Sequence, residues 1–153
     1  MNSVSVLDPT LIKVGVEARE KLDALEQLAF LLQEQGAVRD AELFLADVLQ
    51  READGPTGIG NGVAIPHGKS RGVARTCIAA CTLAHPIAWE SLDDQPVSVI
   101  LLFAVDSSDV NANREHLALM AGVAKALAHD EVNRQLNHAA TPQDILRALE
   151  PYL

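Results

Sequence analysis

Of the five histidines in the chain, His67 has the surroundings that a chemical role requires. It follows a glycine-rich run, D-G-P-T-G-I-G-N-G, and a short apolar segment over 63–65, and it lies between Pro66 and Gly68. Proline fixes the backbone that leads to the ring, and glycine leaves room for a reactant beside it. Because a neutral imidazole is nucleophilic near pH 7, these residues predict a rigidly presented histidine nucleophile.

Composition narrows the possible functions. The chain has 153 residues, of which 48% are hydrophobic and 22% charged, which is typical of one folded domain over 1–153. Its formal net charge is −9 with no basic run to offset it, so nucleic acid is not an expected partner. A basic protein partner suits an acidic domain better, because opposite charges steer the two together.

Apolar periodicity predicts the elements that must position His67. In chain order these are a strand over 11–16, helices over 19–35 and 40–51, a loop over 54–62, strands over 63–65, 76–83 and 97–104, and helices over 114–129, 131–138 and 143–149. This order predicts an α/β fold, a three-layer α/β/α sandwich around a mixed central β-sheet. The run 97–104 is apolar on both faces, so it is predicted to be a central strand.

The same pattern predicts where helices begin and which residues face the core. Asp40 and Asn113 stand where N-caps are expected, and Thr141–Pro142 is a start signal for the last helix. With Asn113 as the cap, His116 falls in the first turn, where the helix dipole disfavours a charged imidazole. The predicted inward-facing residues are Leu22, Leu25, Leu28, Ala29 and Leu32 in the first helix, Leu43, Phe44, Val48 and Leu49 in the second, and Leu117, Met120, Val123, Ala124 and Leu127 in the third.

The remaining patterns favour a cytoplasmic protein without a metal or a cofactor. The N-terminal stretch 1–10 has no secretory-signal pattern, and the longest apolar run, 97–105, is about half the length of a membrane span. Cys77 and Cys81 lie four apart in a predicted strand, on one face and beyond disulfide reach, as small core residues. No H-x-x-x-H or C-x-x-C spacing is present.

The run from Asp54 to Gly68, D-G-P-T-G-I-G-N-G-V-A-I-P-H-G, closely resembles the active-site signature of enzyme IIA domains of the bacterial phosphoenolpyruvate:sugar phosphotransferase system. The resemblance is to the fructose/mannitol (type-2) branch, which includes the nitrogen-regulatory enzyme IIA. It extends to the pair Arg51–Glu52, to Q-P-V at 95–97 and to H-L at 116–117. Asn61 stands where the family often has an acidic residue, a departure that leaves the mechanism intact.

This resemblance implies a phosphocarrier. The small phosphocarrier protein HPr, or a relative, would donate a phosphoryl group to His67. The domain would then pass that group to a cysteine of an enzyme IIB domain during sugar uptake, and the membrane would be involved only indirectly, through enzyme IIC. The reaction would be a phosphotransfer through a phosphohistidine, achieved by positioning and charge stabilisation without a metal.

The resemblance also gives roles to two further residues. Arg51 matches a family arginine, whose guanidinium would bind phosphate oxygens. His116 matches a second family histidine near the first, and we expect it to stay largely neutral and to hydrogen-bond the phosphoryl group. Backbone N–H groups of 57–62 would add an anion site if the glycine-rich loop is concave.

Two other functions stay open at this point. A nitrogen-type regulatory enzyme IIA would share the histidine but control partner proteins by its phosphorylation state. A neighbouring sigma-factor gene would favour that function, whereas neighbouring enzyme IIB and IIC genes would favour sugar uptake. A binding module like the cytoplasmic domains of anion transporters would share the fold without being phosphorylated, and the intact A-I-P-H-G element argues against it.

Overall fold

The helices and strands follow one another in nearly the predicted order in the computed structural model, which describes residues 6–153. Residues 1–5, part of the N-terminal stretch without a secretory-signal pattern, lie outside the described residues. The strands are β1 (Ile12–Val16), β2 (Gly58–Gly60), β3 (Val63–Ala64), β4 (His67–Ser70), β5 (Cys77–Ile87) and β6 (Val97–Asp106). The helices are α1 (Lys21–Glu34), α2 (Ala41–Glu52), α3 (Ala112–Leu127), α4 (Asp130–Asn137) and α5 (Pro142–Leu149), with 3-10 turns at Pro9–Leu11 and Glu150–Tyr152.

The strands form one mixed sheet in the order β1–β5–β6–β3–β2, and β4 pairs with β6 beyond the end of β3. Strand β6 runs antiparallel to β5 but parallel to both β3 and β4, which gives the sheet its mixed character. Strand β1 is parallel to β5, and β2 and β3 form an antiparallel hairpin. As predicted, β6 is a central strand, and nearly all of its residues are buried.

Alternation along the central strands separates two layers of helices. In β6, Ile100, Leu102 and Ala104 pack into the core beneath α1 and α2. Their neighbours Leu101 and Phe103 pack into the core beneath α3, α4 and α5. Successive side chains of a strand point to opposite faces of the sheet, so both faces are apolar and both are covered. The predicted three-layer α/β/α sandwich is confirmed.

The segment around the candidate histidine differs from the prediction in two ways. The predicted loop over 54–62 contains β2, because Asn61 and Gly62, with φ of 57° and 76°, make the tight turn that a two-residue hairpin needs. Strand β4 was not predicted, because the run His67–Ser70 (H-G-K-S) has neither apolar alternation nor β-branched residues. It forms through its pairing with β6.

Two of the three predicted helix starts are confirmed. Asp40 caps α2 by accepting a hydrogen bond from the Leu43 N–H at 3.1 Å, and Thr141 forms a capping box with Asp144 at the start of α5. The Asn113 cap is wrong, because α3 begins at Ala112 with Asn111 at the N-cap. His116 is consequently the fifth helical residue, beyond the first turn, and the helix dipole acts on it only weakly.

Most of the predicted inward-facing residues are buried or half-buried, but five are exposed. Leu22, Leu43, Leu49, Leu117 and Ala124 face solvent, and Leu117 is 70% exposed. Helical spacing defines which residues share a face, whereas the width of the covered face depends on how the neighbouring elements pack. The predicted core cysteines are confirmed, since Cys77 and Cys81 are free and buried in β5. Within 6–153, none of the helices combines the length and apolarity that a membrane crossing needs.

We predict that Gly68→Ala lowers the free energy of unfolding by about 1–3 kcal/mol, the usual range for overpacking a core. A Cβ at this position would lie 2.6 Å from Val48 Cγ2 and 3.0 Å from Phe44 Cε1, so α2 would be pushed away from β4. Urea unfolding measures the loss. In the Val48→Ala background the same substitution should cost less, because the nearest atom is gone; strictly additive losses would contradict this account.

Candidate active site

The backbone at His67 is held by the sheet. His67 is the first residue of β4 and lies opposite Phe103 of β6. The Pro66 carbonyl accepts a hydrogen bond from the Phe103 N–H at 2.9 Å, and Pro66 is itself buried. Since proline also fixes its own φ, the chain has little freedom just before the ring. The predicted rigid presentation of His67 is thus built from one proline and one strand pairing.

Helix α2 brings Arg51 to the same place. Gly68 lies against Phe44 and Val48 of α2, so the helix packs directly over β4. Arg51 follows Val48 by one helical turn, close to the C-terminal end of α2, and its Nη1 donates to the Gly55 carbonyl at 3.3 Å. The guanidinium therefore projects from the helix end toward the start of the glycine-rich segment.

A buried polar network fixes that end of α2, and the sequence analysis did not find it. Glu52 is buried, and its Oε1 accepts hydrogen bonds from Lys21 Nζ at 2.9 Å and from Thr57 Oγ1 at 3.0 Å. The Thr57 hydroxyl in turn accepts from Trp89 Nε1 at 2.8 Å. A paired buried carboxylate with two such partners ties α1, α2 and the start of the hairpin together. The pair Arg51–Glu52 was noted in the sequence, but its partners are distant along the chain.

His116 lies directly beside His67. The two ring centroids are 4.9 Å apart, and the His116 ring is also 5.9 Å from the Phe103 ring. Nε2 of His116 is buried and has no hydrogen-bond partner among the described residues, whereas the His67 ring, whose Nδ1 is also buried, has the Ile65 backbone as a hydrogen-bonding neighbour. Buried polar nitrogens without a partner are rare in folded proteins, and a role in catalysis is one of the explanations for them.

The pKa values of both imidazoles are lowered, which favours their neutral forms. Burial, followed by the positive charge of Arg51, lowers the pKa of His67 below its ordinary value of 6.5, and a hydrogen bond with the Ile65 backbone acts in the opposite direction. Burial also lowers the pKa of His116, with smaller contributions from the charges of His67 and Lys69. Removing a charged ring from water is costly, and nearby cations make it costlier. The prediction of a neutral His116 agrees with this direction, although desolvation rather than the helix dipole is its cause.

Arg51 and His67 face one open cleft of about 280 Å³. The structure therefore brings together the three residues that the sequence analysis selected, since His116 adjoins His67. The cleft also includes Lys69, which the sequence analysis missed because β4 was not predicted and its two-residue period was not applied. Its lining residues are Asp47, Gln50, Arg51, Asp54, His67 and Lys69.

In the glycine-rich hairpin, N–H groups expected to contribute to an anion site already have partners within the protein: Gly58 binds a carbonyl and Asn61 the Asp93 carboxylate. The Gly58 N–H donates to the Glu90 carbonyl at 3.0 Å, and its own carbonyl accepts from Leu92 at 2.9 Å. The rest of the segment pairs with β3 and turns at Asn61. Across residues 6–153, no group of three or more His, Cys, Asp or Glu side chains is arranged to hold a metal ion.

Comparison with known proteins assigns the family. A family model described as phosphoenolpyruvate-dependent sugar phosphotransferase system, EIIA 2, matches residues 5–152. The chain belongs to the EIIA 2 family. The match covers the whole sandwich, including the histidine segment and both layers of helices, so the family assignment rests on the complete fold and not on one motif.

Relatives named as PTS system components and relatives named as nitrogen regulatory proteins both match this EIIA chain. It is 30% identical over 151 residues to the PTS system 2-O-alpha-mannosyl-D-glycerate-specific EIIABC component of Escherichia coli (strain K12), covering 98% of this chain but only 23% of that protein. It is 33% identical over 146 residues to the nitrogen regulatory protein of the same strain, covering 95% and 87% of the two chains. The crystal structure of nitrogen regulatory protein IIA-Ntr from Neisseria meningitidis has a TM-score of 0.84 at 26% identity, covering 94% and 96%.

We predict that stability falls as the pH drops below about 7, partly because of His67 and His116. Folding lowers both pKa values, so near pH 6.5 and below the unfolded chain binds more protons than the folded chain. Above about pH 6.5 the two neutral histidines leave the free energy of unfolding at its full value. As the pH decreases below it, their lowered pKa values reduce that free energy. Urea unfolding at pH 7.5 and 5.5 should show a smaller loss for His67→Gln/His116→Gln than for the wild type. The exposed His85→Gln serves as the control, and an equal loss in the double variant would refute the assignment.

Proposed function

We propose that this EIIA domain is a phosphocarrier that accepts a phosphoryl group on His67 and transfers it to a partner protein. The observation that carries the proposal is the pairing of His67 with His116, whose buried Nε2 has no partner among the described residues, next to a cleft that Arg51 also lines. A phosphoryl group on His67 would meet a neutral hydrogen-bonding ring and a guanidinium without any rearrangement of the backbone.

The reaction assigns different tasks to the two nitrogens of His67. Because Nδ1 is buried, we assign the nucleophile to Nε2 and the ring proton to Nδ1. The Nε2 lone pair forms the bond to phosphorus while the bond between phosphorus and the donor nitrogen breaks, and the donor nitrogen keeps that electron pair. The lowered pKa of His67 keeps the lone pair available at neutral pH. In the onward transfer, a cysteine thiolate of the acceptor forms the new bond to phosphorus while the Nε2–P bond breaks, and Nε2 keeps that electron pair.

Arg51 and His116 act on charge and not on the covalent step. The Arg51 guanidinium disfavours a proton on His67 and favours the negative charge that replaces it, so one cation serves both states. His116 is proposed to donate a hydrogen bond to a phosphoryl oxygen through Nε2. A neutral donor is suited to this task because it stabilises the group without holding it as strongly as a second buried cation would.

We propose HPr, or a relative, as the donor and an enzyme IIB domain as the acceptor. Two apolar side chains beside the site support docking of a protein, since Val110 is 97% exposed and Leu117 70% exposed around the start of α3. The EIIABC relative is named for components A, B and C together, which supports an enzyme IIB acceptor and sugar uptake, and the resemblance of the His67 segment favours the fructose/mannitol class. We place the chain, as a single domain, in the cytoplasm, where its free buried cysteines stay reduced.

A regulatory function is the second candidate. The nitrogen regulatory relative is matched over 87% of its own length and at slightly higher identity than the sugar-specific relative. In that case the same phosphohistidine would control the binding of other proteins and no sugar would move. Transfer from the phosphorylated chain to a panel of enzyme IIB domains separates the two functions, because only a sugar-uptake carrier should have an acceptor among them.

We predict that His67→Gln abolishes phosphorylation. The wild type, incubated with phosphoenolpyruvate, enzyme I and HPr, should gain one acid-labile phosphate that maps to His67. The exposed His85→Gln should be labelled like the wild type, because its ring is in β5 and away from the cleft. The proposal would be wrong if His67→Gln were labelled, or if no HPr-type donor labelled the wild type. The second result would favour the non-phosphorylated binding module.

We predict that Arg51→Gln slows phosphorylation by about 10- to 100-fold, the loss expected for one hydrogen bond to a charged group. His116→Ala should reduce the rate or shorten the lifetime of the phosphohistidine while the fold is retained. Rapid-quench labelling measures the rate, and loss of label after donor removal measures the lifetime. If His116→Ala leaves both quantities at wild-type values, its proposed role is wrong.

A further inference from the structure

Lys69 shares a strand face with His67. The two residues are two apart in β4, and side chains two apart in a strand point the same way. Both line the cleft that also contains Arg51, and the Lys69 side chain is exposed. The amine is thus an exposed cation on the face of β4 to which a phosphoryl group on His67 would be attached.

In the unphosphorylated chain this amine is bound elsewhere. Lys69 Nζ donates a hydrogen bond to Asn113 Oδ1 at 2.7 Å, which joins β4 to the first turn of α3. The contact lies close to the second histidine, since the charge of Lys69 contributes to the lowered pKa of His116. Asn113 does not cap α3, since the N-cap is Asn111, and its side-chain carbonyl is the neutral acceptor that binds the lysine.

A phosphoryl group would compete with Asn113 for the amine. It carries a charge of about −2 near neutral pH, and hydrogen bonds between two charged groups are roughly twice as strong as those to a neutral amide. The lysine stem is long and has several rotatable bonds, so the amine can turn from α3 toward the cleft without movement of β4. The same strand face supplies both the amine and the group that attracts it.

We propose that the Lys69 amine changes its hydrogen-bond partner when His67 is phosphorylated: it releases Asn113 Oδ1 and binds the phosphoryl oxygens. This inference rests on the proposed function of His67. Its consequence is that the first turn of α3 loses its tie to β4 in the phosphorylated state. Asn113 stands between the exposed Val110 and Leu117, so a docking partner would meet a different α3 start in each state.

The structural step can be tested without any donor protein. Potassium phosphoramidate phosphorylates imidazoles directly: the Nε2–P bond forms, the P–N bond of the zwitterionic reagent breaks, and ammonia leaves with the electron pair of that bond while the ring proton stays on Nδ1. We expect the Asn113 side-chain amide resonance of the phosphorylated wild type to move to its position in unphosphorylated Lys69→Gln. His67→Gln treated in the same way should show no such movement. An Asn113 resonance that phosphorylation of His67 leaves unchanged would overturn the inference.

The energetic step uses the equilibrium of phosphoryl exchange with HPr. Lys69→Gln should shift it away from this chain by about two- to fivefold, the range that an exposed ion pair supplies, and Lys69→Arg should restore most of it. Asn113→Ala should shift it the other way in the wild type and not at all in Lys69→Gln. Lys125→Gln, the same charge change at the far end of α3, is the matched control.

The two arms separate the inference from the proposed function. If the wild type exchanges no phosphoryl group with HPr, the proposed function fails, and the phosphoramidate arm still decides whether Lys69 leaves Asn113. If exchange occurs but Lys69→Gln behaves like Lys125→Gln, the proposed function stands and Lys69 has no part in it. Shifts in the same direction for Lys69→Gln and Asn113→Ala would also overturn the inference, because they would indicate a merely structural contact.

Discussion

The close contact of β4 with α2 at Gly68 is the constraint on which the site depends. With no side chain at this position, Val48 and Phe44 approach the strand to within a distance that a Cβ would not tolerate. That approach carries Arg51, one turn later, to the cleft beside His67. Strand β4 is also held by its pairing with β6, where the Phe103 N–H binds the Pro66 carbonyl and the Phe103 ring lies 5.9 Å from the His116 ring. A larger residue at 68 would separate the nucleophile from its cation even if both were present.

The electrostatics of the site follow from the same packing. Half-burial makes a protonated imidazole unfavourable at both His67 and His116, so the two rings coexist at 4.9 Å without repelling one another. Cations around the cleft reinforce the neutral state and also match the charge that arrives with a phosphoryl group. The chain as a whole carries a net charge of −9, but at this cleft Arg51 and Lys69 offset the charges of Asp47 and Asp54.

The sequence predicts the nucleophile and the layers of the sandwich better than it predicts the other residues that line the cleft. His67 is recognisable because proline, glycine and the glycine-rich run surround it within one segment, and β6 because both of its faces are apolar. Strand β4 is not recognisable, since it exists through pairing and its own residues have no strand pattern. Lys69 was missed with it. The Glu52 network joins positions 31 apart in the chain, and Asn113 was misread as a cap because Asn111 offers the same residue type two positions earlier.

A carrier must hold its phosphoryl group firmly enough to protect it and loosely enough to release it. A site lined by several buried cations would bind the phosphoryl group too tightly to release it. Charge-assisted hydrogen bonds in a pocket without water are among the strongest that proteins make. This cleft is open, one of its two cations is an exposed lysine, and an imidazole whose neutral form is favoured lies 4.9 Å from the His67 ring. Each feature weakens the grip on a phosphoryl group while leaving its geometry defined. Because the cleft is open, a second protein can approach the phosphorus in line with the bond that must break. A closed pocket would prevent that approach.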